Sequence, residues 1–355
     1  MSQRILIIKP SSLGDIVHAL PTLSVLRAQF PDFWIGWVVK EEWAEILRGH
    51  PDLNEVIAVN FRLTQWVSLV RRIRRLSCDV VIDLQGLFRS GLLAKLSGAR
   101  ERIGFAAGRE GSPMFYTQRV ELPNPQQMPW RLLDMHAVDR NLMVAQHLGA
   151  DITQPRFILP SISHDEETVA QWFAEAGVDS SSRLIAMAPV SRQAIKNWPF
   201  DRFLETAAAL SVQEECRIVL LGSASQRWMV QPFRDALGNR LIDLVGKTHV
   251  RHLGVVLRKV HLLIANDSAV LHMASALETP VLSFFGPTSA LATGPYGKGI
   301  REILNVSLPC RPCGMHQCHN SHYLECLTAI SVEQVLEKAK MLLRRIAVVP
   351  VGGTQ

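Results

Sequence analysis

Short apolar runs alternate with amphipathic stretches along most of the chain, and this alternation predicts the architecture. Residues 4–9 (RILIIK) form a nearly continuous apolar run, as a strand buried on both faces of a parallel sheet requires. Residues 10–14 read as a turn. Over residues 15–30, Ile16, Leu20, Leu23 and Leu26 recur at helical spacing, with Pro21 as an expected interruption. Strands are expected over 34–39, 56–59, 79–83 (DVVID) and 102–105, and helices over 64–76 and 130–148. Residues 106–129 have weak periodicity and read as a long irregular connection.

A second alternating series starts near Arg183. Residues 184–189 (LIAMAP), 217–222 (RIVLLG), 241–245 (LIDLV), 261–267 (HLLIAND) and 280–286 (PVLSFFG) are short apolar runs separated by helical stretches. Two such series predict an α/β protein of two Rossmann-like, doubly wound domains, each with a parallel sheet. The Pro- and Ser-containing stretch 155–163 is the expected join, giving domains over 1–160 and 161–330. A last helix over 331–346 and a frayed tail over 347–355 follow.

Composition narrows the class. The chain has 355 residues, 48% hydrophobic and 20% charged, which excludes a disordered chain. No apolar run approaches the roughly 18 residues of a spanning helix. The apolar run at the start is too brief for a signal segment and is followed at once by Lys9 and Asp15, so a cytoplasmic location is expected. The net charge of +6 suits an acidic partner such as a nucleotide, a phosphate, a nucleic acid or an anionic membrane surface, although mild basicity is also common without one. Arg71, Arg72, Arg74 and Arg75 lie among Leu69, Ile73 and Leu76, which predicts a basic amphipathic helix. Such a helix rests on a membrane surface or is one solvated face of an ordinary helix.

Ligands of open α/β sheets bind beyond the carboxyl ends of the strands, so the polar turns after strand runs are the candidate sites. KPSSLGD (9–15) follows the first strand and offers Ser12, Gly14 and Asp15. It lacks the endings of a P-loop and of a dinucleotide fingerprint. Asp15 at a helix start is either a structural cap or a carboxylate kept ionised by the helix terminus, suited to a general base beside a sugar. DLQGLFRS (83–90) presents Gln85 and Gly86 in a second turn, which is equally well an ordinary strand-to-helix connection. In APVSRQAIKNWPFDRF (188–203), Ser191, Arg192 and Lys196 suit a diphosphate, or form a solvated basic loop.

The strongest signal is residues 261–288. A strand ends in Asn266, Asp267 and Ser268, and a helix starts at once. Its N–H groups at Ser268, Ala269 and Val270 are placed for a phosphate, with His272 one turn further on. Asp267 also reads as a cap for that helix. Four cysteines, Cys310, Cys313, Cys318 and Cys326, fall within 17 residues together with three histidines. They suggest a structural zinc or iron site, or a reduced loop over the nucleotide site.

Taken in order, KPSSLGD, DLQGL, RQAIKNWP, DSAVLH and GPTSALATGPYG resemble the motifs of the ADP-heptose:lipopolysaccharide heptosyltransferases, glycosyltransferase family 9. The likeness covers about residues 4–340, with a start most similar to the type I enzymes and a cysteine-rich segment more like type II and other members. The resemblance implies a GT-B fold, two Rossmann-like domains facing across a cleft, with the last helix crossing back to the first. It implies an acceptor-binding first half and a donor-binding second half. The implied activity is inverting transfer of heptose from ADP-heptose to the Kdo or heptose of the lipopolysaccharide inner core, with no catalytic metal required. Asp15 is then the general base, with Ser12, Gly14, Gln85 and Gly86 on the acceptor side. Ser191, Arg192, Lys196, Asp267, Ser268, Ala269 and His272 hold the donor. Peripheral contact with the cytoplasmic face of the inner membrane is expected, and no nucleic-acid partner. Transfer of another sugar to a glycan or protein, and a sugar-nucleotide epimerase or hydrolase, are the competing readings. An interaction module built on the Cys/His segment is a third, disfavoured by the scarcity of aromatic and basic residues there.

Overall fold

Each short apolar run forms a buried parallel strand in the computed structural model, which describes residues 3–123 and 135–348. The chain divides into two units, Met1–Pro160 and Ser161–Gln355. The first contains β1 (Arg4–Ile8), α1 (Leu13–Val17), α2 (Leu20–Gln29), β2 (Trp34–Lys40), β3 (Glu55–Val59), α3 (Trp66–Arg75), β4 (Val80–Asp83), α4 (Phe88–Leu96), β5 (Glu101–Phe105), β6 (Gln118–Val120) and α5 (Ala137–His147). Its strands are all parallel, in the order β3-β2-β1-β4-β5-β6.

The second unit contains α6 (Ser163–Glu175), β7 (Arg183–Ala188), α7 (Phe200–Gln213), β8 (Cys216–Leu220), α8 (Val230–Leu237), β9 (Leu241–Asp243), α9 (Val250–Lys259), β10 (Leu262–Asn266), α10 (Ala269–Ala276), β11 (Val281–Phe284), α11 (Ala290–Thr293), β12 (Arg301–Leu304), α12 (Glu325–Thr328) and α13 (Val332–Val348). Its parallel order is β12-β11-β10-β7-β8-β9. Numbered within its own unit, each sheet reads 3-2-1-4-5-6, the doubly wound order of nucleotide-binding folds. The winding reverses between β1 and β4 in the first sheet and between β7 and β10 in the second.

Several local expectations need correction. The helix expected over 15–30 is two helices, broken at His18 and Ala19, and Pro21 sits in the first turn of α2. There its missing N–H costs no hydrogen bond, so the proline starts a helix rather than kinking one. The stretch read as irregular holds a 3-10 turn at Ser112–Phe115 and the edge strand β6. A three-residue strand is too short to show periodicity. β12 was also missed, because its sequence REIL carries two charged residues on a partly exposed edge. The start expected for α5 at residue 130, and most of the expected tail, lie outside the described residues. The final helix adds Val335, Ala339, Leu342 and Leu343 to the core of the second unit and packs on α7, β10 and β12.

Trp198 anchors the second core. It is fully buried, stacks on Phe284 at 4.6 Å between ring centroids, and meets Phe203 edge-on at 5.1 Å. Its indole N–H donates to the Ile330 carbonyl at 3.0 Å. Truncation of a large buried aromatic typically costs about 3–5 kcal/mol. Trp198→Ala is therefore expected to lower the urea midpoint of the second unit by that amount of stability, with an unchanged fold by circular dichroism in the absence of denaturant.

Candidate active site

The four polar turns singled out in the sequence occupy both points where the winding reverses. KPSSLGD follows β1 and DLQGL follows β4. The Ser191–Lys196 loop follows β7 and the Asn266–Ser268 turn follows β10. At a reversal the flanking connections leave to opposite faces of the sheet, so a crevice stays open at the strand ends.

In the first unit, Ser12 caps α1, and its backbone N–H and hydroxyl both donate to Asp15 Oδ2, at 2.9 and 2.8 Å. The capping role expected for this turn is thus real, and Asp15 is its acceptor at the third helical position. Capping orients the carboxylate. Gly14 is buried and Asp15 is partly exposed. The neighbouring turn is held by Asp83, fully buried, whose Oδ1 accepts from the N–H groups of Gln85 at 2.9 Å and Gly86 at 3.1 Å. Tyr116 donates its hydroxyl to Asp83 Oδ2 at 2.7 Å. Gly86 adopts a φ of +66°, which favours glycine. Gln85 Oε1 accepts a long 3.4 Å bond from the Ser11 N–H, linking the two turns.

Charged groups missed in the sequence complete this crevice. Lys9 is buried and donates to the Leu84 carbonyl at 3.0 Å. Burial lowers its pKa, opposed by the carboxylates of Asp15 and Asp83. Arg140, on α5, is brought down to about 10 by burial, while Asp15 draws it back up and Arg109 pushes it down further. Asn141 beside it donates to the His18 carbonyl at 3.1 Å, fixing α5 against the end of α1. Lys9 could have been noticed as a cation at a strand end. Arg140 gives no such signal, because it lies far away in sequence on an otherwise ordinary helix.

In the second unit the predicted donor residues converge on Asp267, which is 4% exposed. Its Oδ2 accepts from Lys196 Nζ and from the Thr288 hydroxyl, both at 2.7 Å. Its Oδ1 lies 3.5 Å from His272 Nε2. Asp267 does not cap α10, since Ser268 is the N-cap. Nor does its carboxylate suit direct contact with a phosphate; it holds the cation instead, with the imidazole nearby. The first N–H groups of α10, after Ser268, have no acceptor within the helix, as at any helix start. Ser268 Oγ is buried with no hydrogen-bond partner among the described residues. Ser191 is buried, and its N–H and hydroxyl both reach Asn197 Oδ1, at 2.9 and 2.7 Å. Asn266 bonds both to the Trp198 N–H at 2.8 Å and to the Pro189 carbonyl at 2.7 Å, so the β7 and β10 turns form one framework. Arg192 is exposed. Ser275 ties the GPYG segment to α10 through the Tyr296 backbone, at 2.7 Å in each direction.

The four clustered cysteines are unpaired thiols. Among the described residues no three of them bring their sulfurs together as metal ligands; the group with that geometry is Asp165, His249 and His252. The reason lies in packing. Cys326 joins the apolar core beside Leu327, whereas Cys310 is exposed and Cys318 accepts a backbone N–H from Leu324 at 3.3 Å.

The family model for glycosyltransferase family 9 (heptosyltransferase) matches residues 66–324. The chain belongs to that family. It is 28% identical over 330 residues to lipopolysaccharide heptosyltransferase 1 of Pseudomonas aeruginosa, covering 89% of this chain and 87% of the relative. Its fold matches a family 9 glycosyltransferase of Veillonella parvula with a TM-score of 0.83 at 24% identity, over 97% of this chain and 98% of the other. It also matches the Escherichia coli heptosyltransferase WaaC, solved with ADP, with a TM-score of 0.70 at 21% identity, over 97% and 100%. The two sheets are thus those of a GT-B glycosyltransferase, and the protein is an enzyme of that class.

The Tyr116 hydroxyl gives a test of the first crevice. Burial raises the Asp83 pKa, and the Tyr116 bond counteracts this. A carboxyl whose folded pKa lies above its unfolded value favours the folded state in acid and loses that contribution as pH rises. Tyr116→Phe should cost about 1–3 kcal/mol at neutral pH, the penalty for a buried group left without its partner. The cost should shrink as pH falls and Asp83 becomes protonated. Urea unfolding of both proteins across mildly acidic to neutral pH measures this, and a pH-independent difference contradicts it.

Proposed function

We propose that this enzyme transfers heptose from ADP-heptose to the inner core of lipopolysaccharide, with inversion at the anomeric carbon and Asp15 as general base. The observation that carries the reading is the pair of arrays at the two winding reversals. One contains an oriented carboxylate among buried cations, and the other joins a lysine, a histidine and a helix start around one aspartate. The family assignment and the names of the relatives support the donor and the acceptor class.

In this mechanism the acceptor hydroxyl lies beside Asp15. Its proton passes to the carboxylate as its oxygen attacks C1 of the heptose. The C1–O bond to the diphosphate breaks on the opposite face, and the electron pair leaves with ADP. ADP needs no proton to depart, but its growing charge must be held. Lys196, His272 and the N–H groups of Ser268 and Ala269 do this, with Ser191 and Arg192 assisting. Asp267 keeps Lys196 in place. Ser12, Gly14, Gln85 and Gly86 shape the acceptor side. Arg140 and Lys9 suit an acidic sugar and moderate the charge of Asp15.

The basic helix α3 extends this reading to the glycolipid. Arg71, Arg72, Arg74 and Arg75 are exposed while Leu69 and Ile73 are buried, and Arg72 pairs with Glu55 at 3.0 Å. With exposed Arg62 they form a face for the phosphorylated acceptor at the cytoplasmic side of the inner membrane. Among the described residues no helix is long and apolar enough to cross a membrane.

Three outcomes are expected with ADP-heptose and truncated lipopolysaccharides, transfer being read by mass spectrometry. Asp15→Asn should lower turnover by about 10²–10⁴, the usual worth of a general base, while ADP binding by calorimetry changes little. Near-normal turnover removes Asp15 from the role. Lys196→Ala should cost about 10²–10³ in turnover, as for loss of a group holding a developing anion, and should weaken ADP binding, unlike Asp15→Asn. Raising the salt concentration should raise KM for the acceptor more than for the donor, because exposed charges are the more strongly screened.

A further inference from the structure

We propose that Asp165, His249 and His252 form a binding site for one divalent transition-metal ion of the zinc, cobalt or nickel class. Asp165 lies in the first turn of α6. His249 caps α9, and His252 lies in its first turn. The Nε2 atoms of His249 and His252 stand 3.6 and 3.5 Å from Asp165 Oδ1, and the three ligand atoms lie within 4.8 Å of one another. These distances are too long for hydrogen bonds. They suit a tetrahedral ion, whose bonds of about 2.0–2.2 Å place its ligand atoms roughly 3.4 Å apart.

Burial makes the arrangement costly without an ion. Asp165 is 1% exposed and His252 8%. Asp165 Oδ1 and both ring nitrogens of His252 lack a hydrogen-bond partner among the described residues. Two buried polar side chains side by side, both unsatisfied, call for a common partner. Asp165 Oδ2 meets Arg251 Nε at 2.9 Å, which orients the carboxylate and leaves Oδ1 toward the imidazoles. Trp172 meets the His252 ring edge-on at 4.9 Å and holds its plane; the half-exposed His249 ring stacks on it at 3.5 Å, closer than two rings on one tetrahedral ion, so His249 swings outward to ligate. The His249 side chain is 44% exposed, leaving a route for the ion and a solvent position for its fourth ligand. His249 Nδ1 accepts a long 3.3 Å bond from the Arg251 N–H. Coordination through Nε2 places the ring proton on Nδ1 and releases that bond.

The ion would clamp the first helix of the second unit to α9, which begins at the carboxyl end of β9 and packs on both α6 and α10. Cobalt(II) titration of the full-length protein at neutral pH tests this, because nitrogen and oxygen ligands give visible d–d bands without the charge-transfer band of thiolate ligands. The unaltered protein should take up one more cobalt ion than His249→Ser, and that difference spectrum should lack the thiolate band. Its thermal midpoint should rise with cobalt, and the rise should vanish in His249→Ser. Serine retains a capping oxygen for α9, so the variant should fold; His249→Asn is a second capping-competent choice. Cys318→Ser should keep the full nitrogen and oxygen signal. Equal uptake by the unaltered protein and both His249 variants overturns the proposal. So does the absence, in the unaltered protein alone, of any cobalt bands free of the thiolate signature.

Discussion

The reversal of winding in each parallel sheet is the constraint on which the candidate sites depend. Successive crossovers on either side of a reversal cover opposite faces, so the strand ends between them are not roofed by a helix. Whatever residues terminate those strands must then satisfy their own polar groups in a half-open crevice. At both reversals a buried acidic side chain solves that problem. Asp83 gathers two turn N–H groups and a phenol, and Asp267 gathers an ammonium and a hydroxyl. Each aspartate holds other groups in position, and those groups are left to meet the substrate.

The two sites differ in how they balance charge. In the first, Lys9, Arg109 and Arg140 surround Asp15 and Asp83, and the cations depress one another while the carboxylates stabilise them. In the second, a single aspartate serves two donors, and the helix start beside it adds its own partial positive charge.

Much of this was legible in the sequence, because parallel strands and the turns after them are contiguous. RILIIK, DVVID and HLLIAND announce buried strands, and the polar residues that follow them are the ones found at the crevices. What could not be read is what folding brings in from elsewhere. Arg140 and Tyr116 reach the first site from α5 and from beside β6, and nothing in their own neighbourhoods marks them. The contact of Asp267 was hidden for the same reason: an aspartate before a helix is ordinarily a cap, and only the approach of Lys196, 71 residues away, gives it a cation to hold. Spacing also overstated the cysteines, whose side chains are divided between core and surface.

The loop carrying Lys196 is braced at both ends. Asn266 grips its exit through the Trp198 N–H, the Trp198 indole reaches the Ile330 carbonyl, and Arg202 reaches the same carbonyl at 2.7 Å. Such a loop has surrendered its conformational freedom during folding, before any ligand arrives. On the proposed reading, the entropy of ordering it is not subtracted from the donor's affinity, and the segment leading into α13 becomes part of what sets how tightly a nucleotide is held.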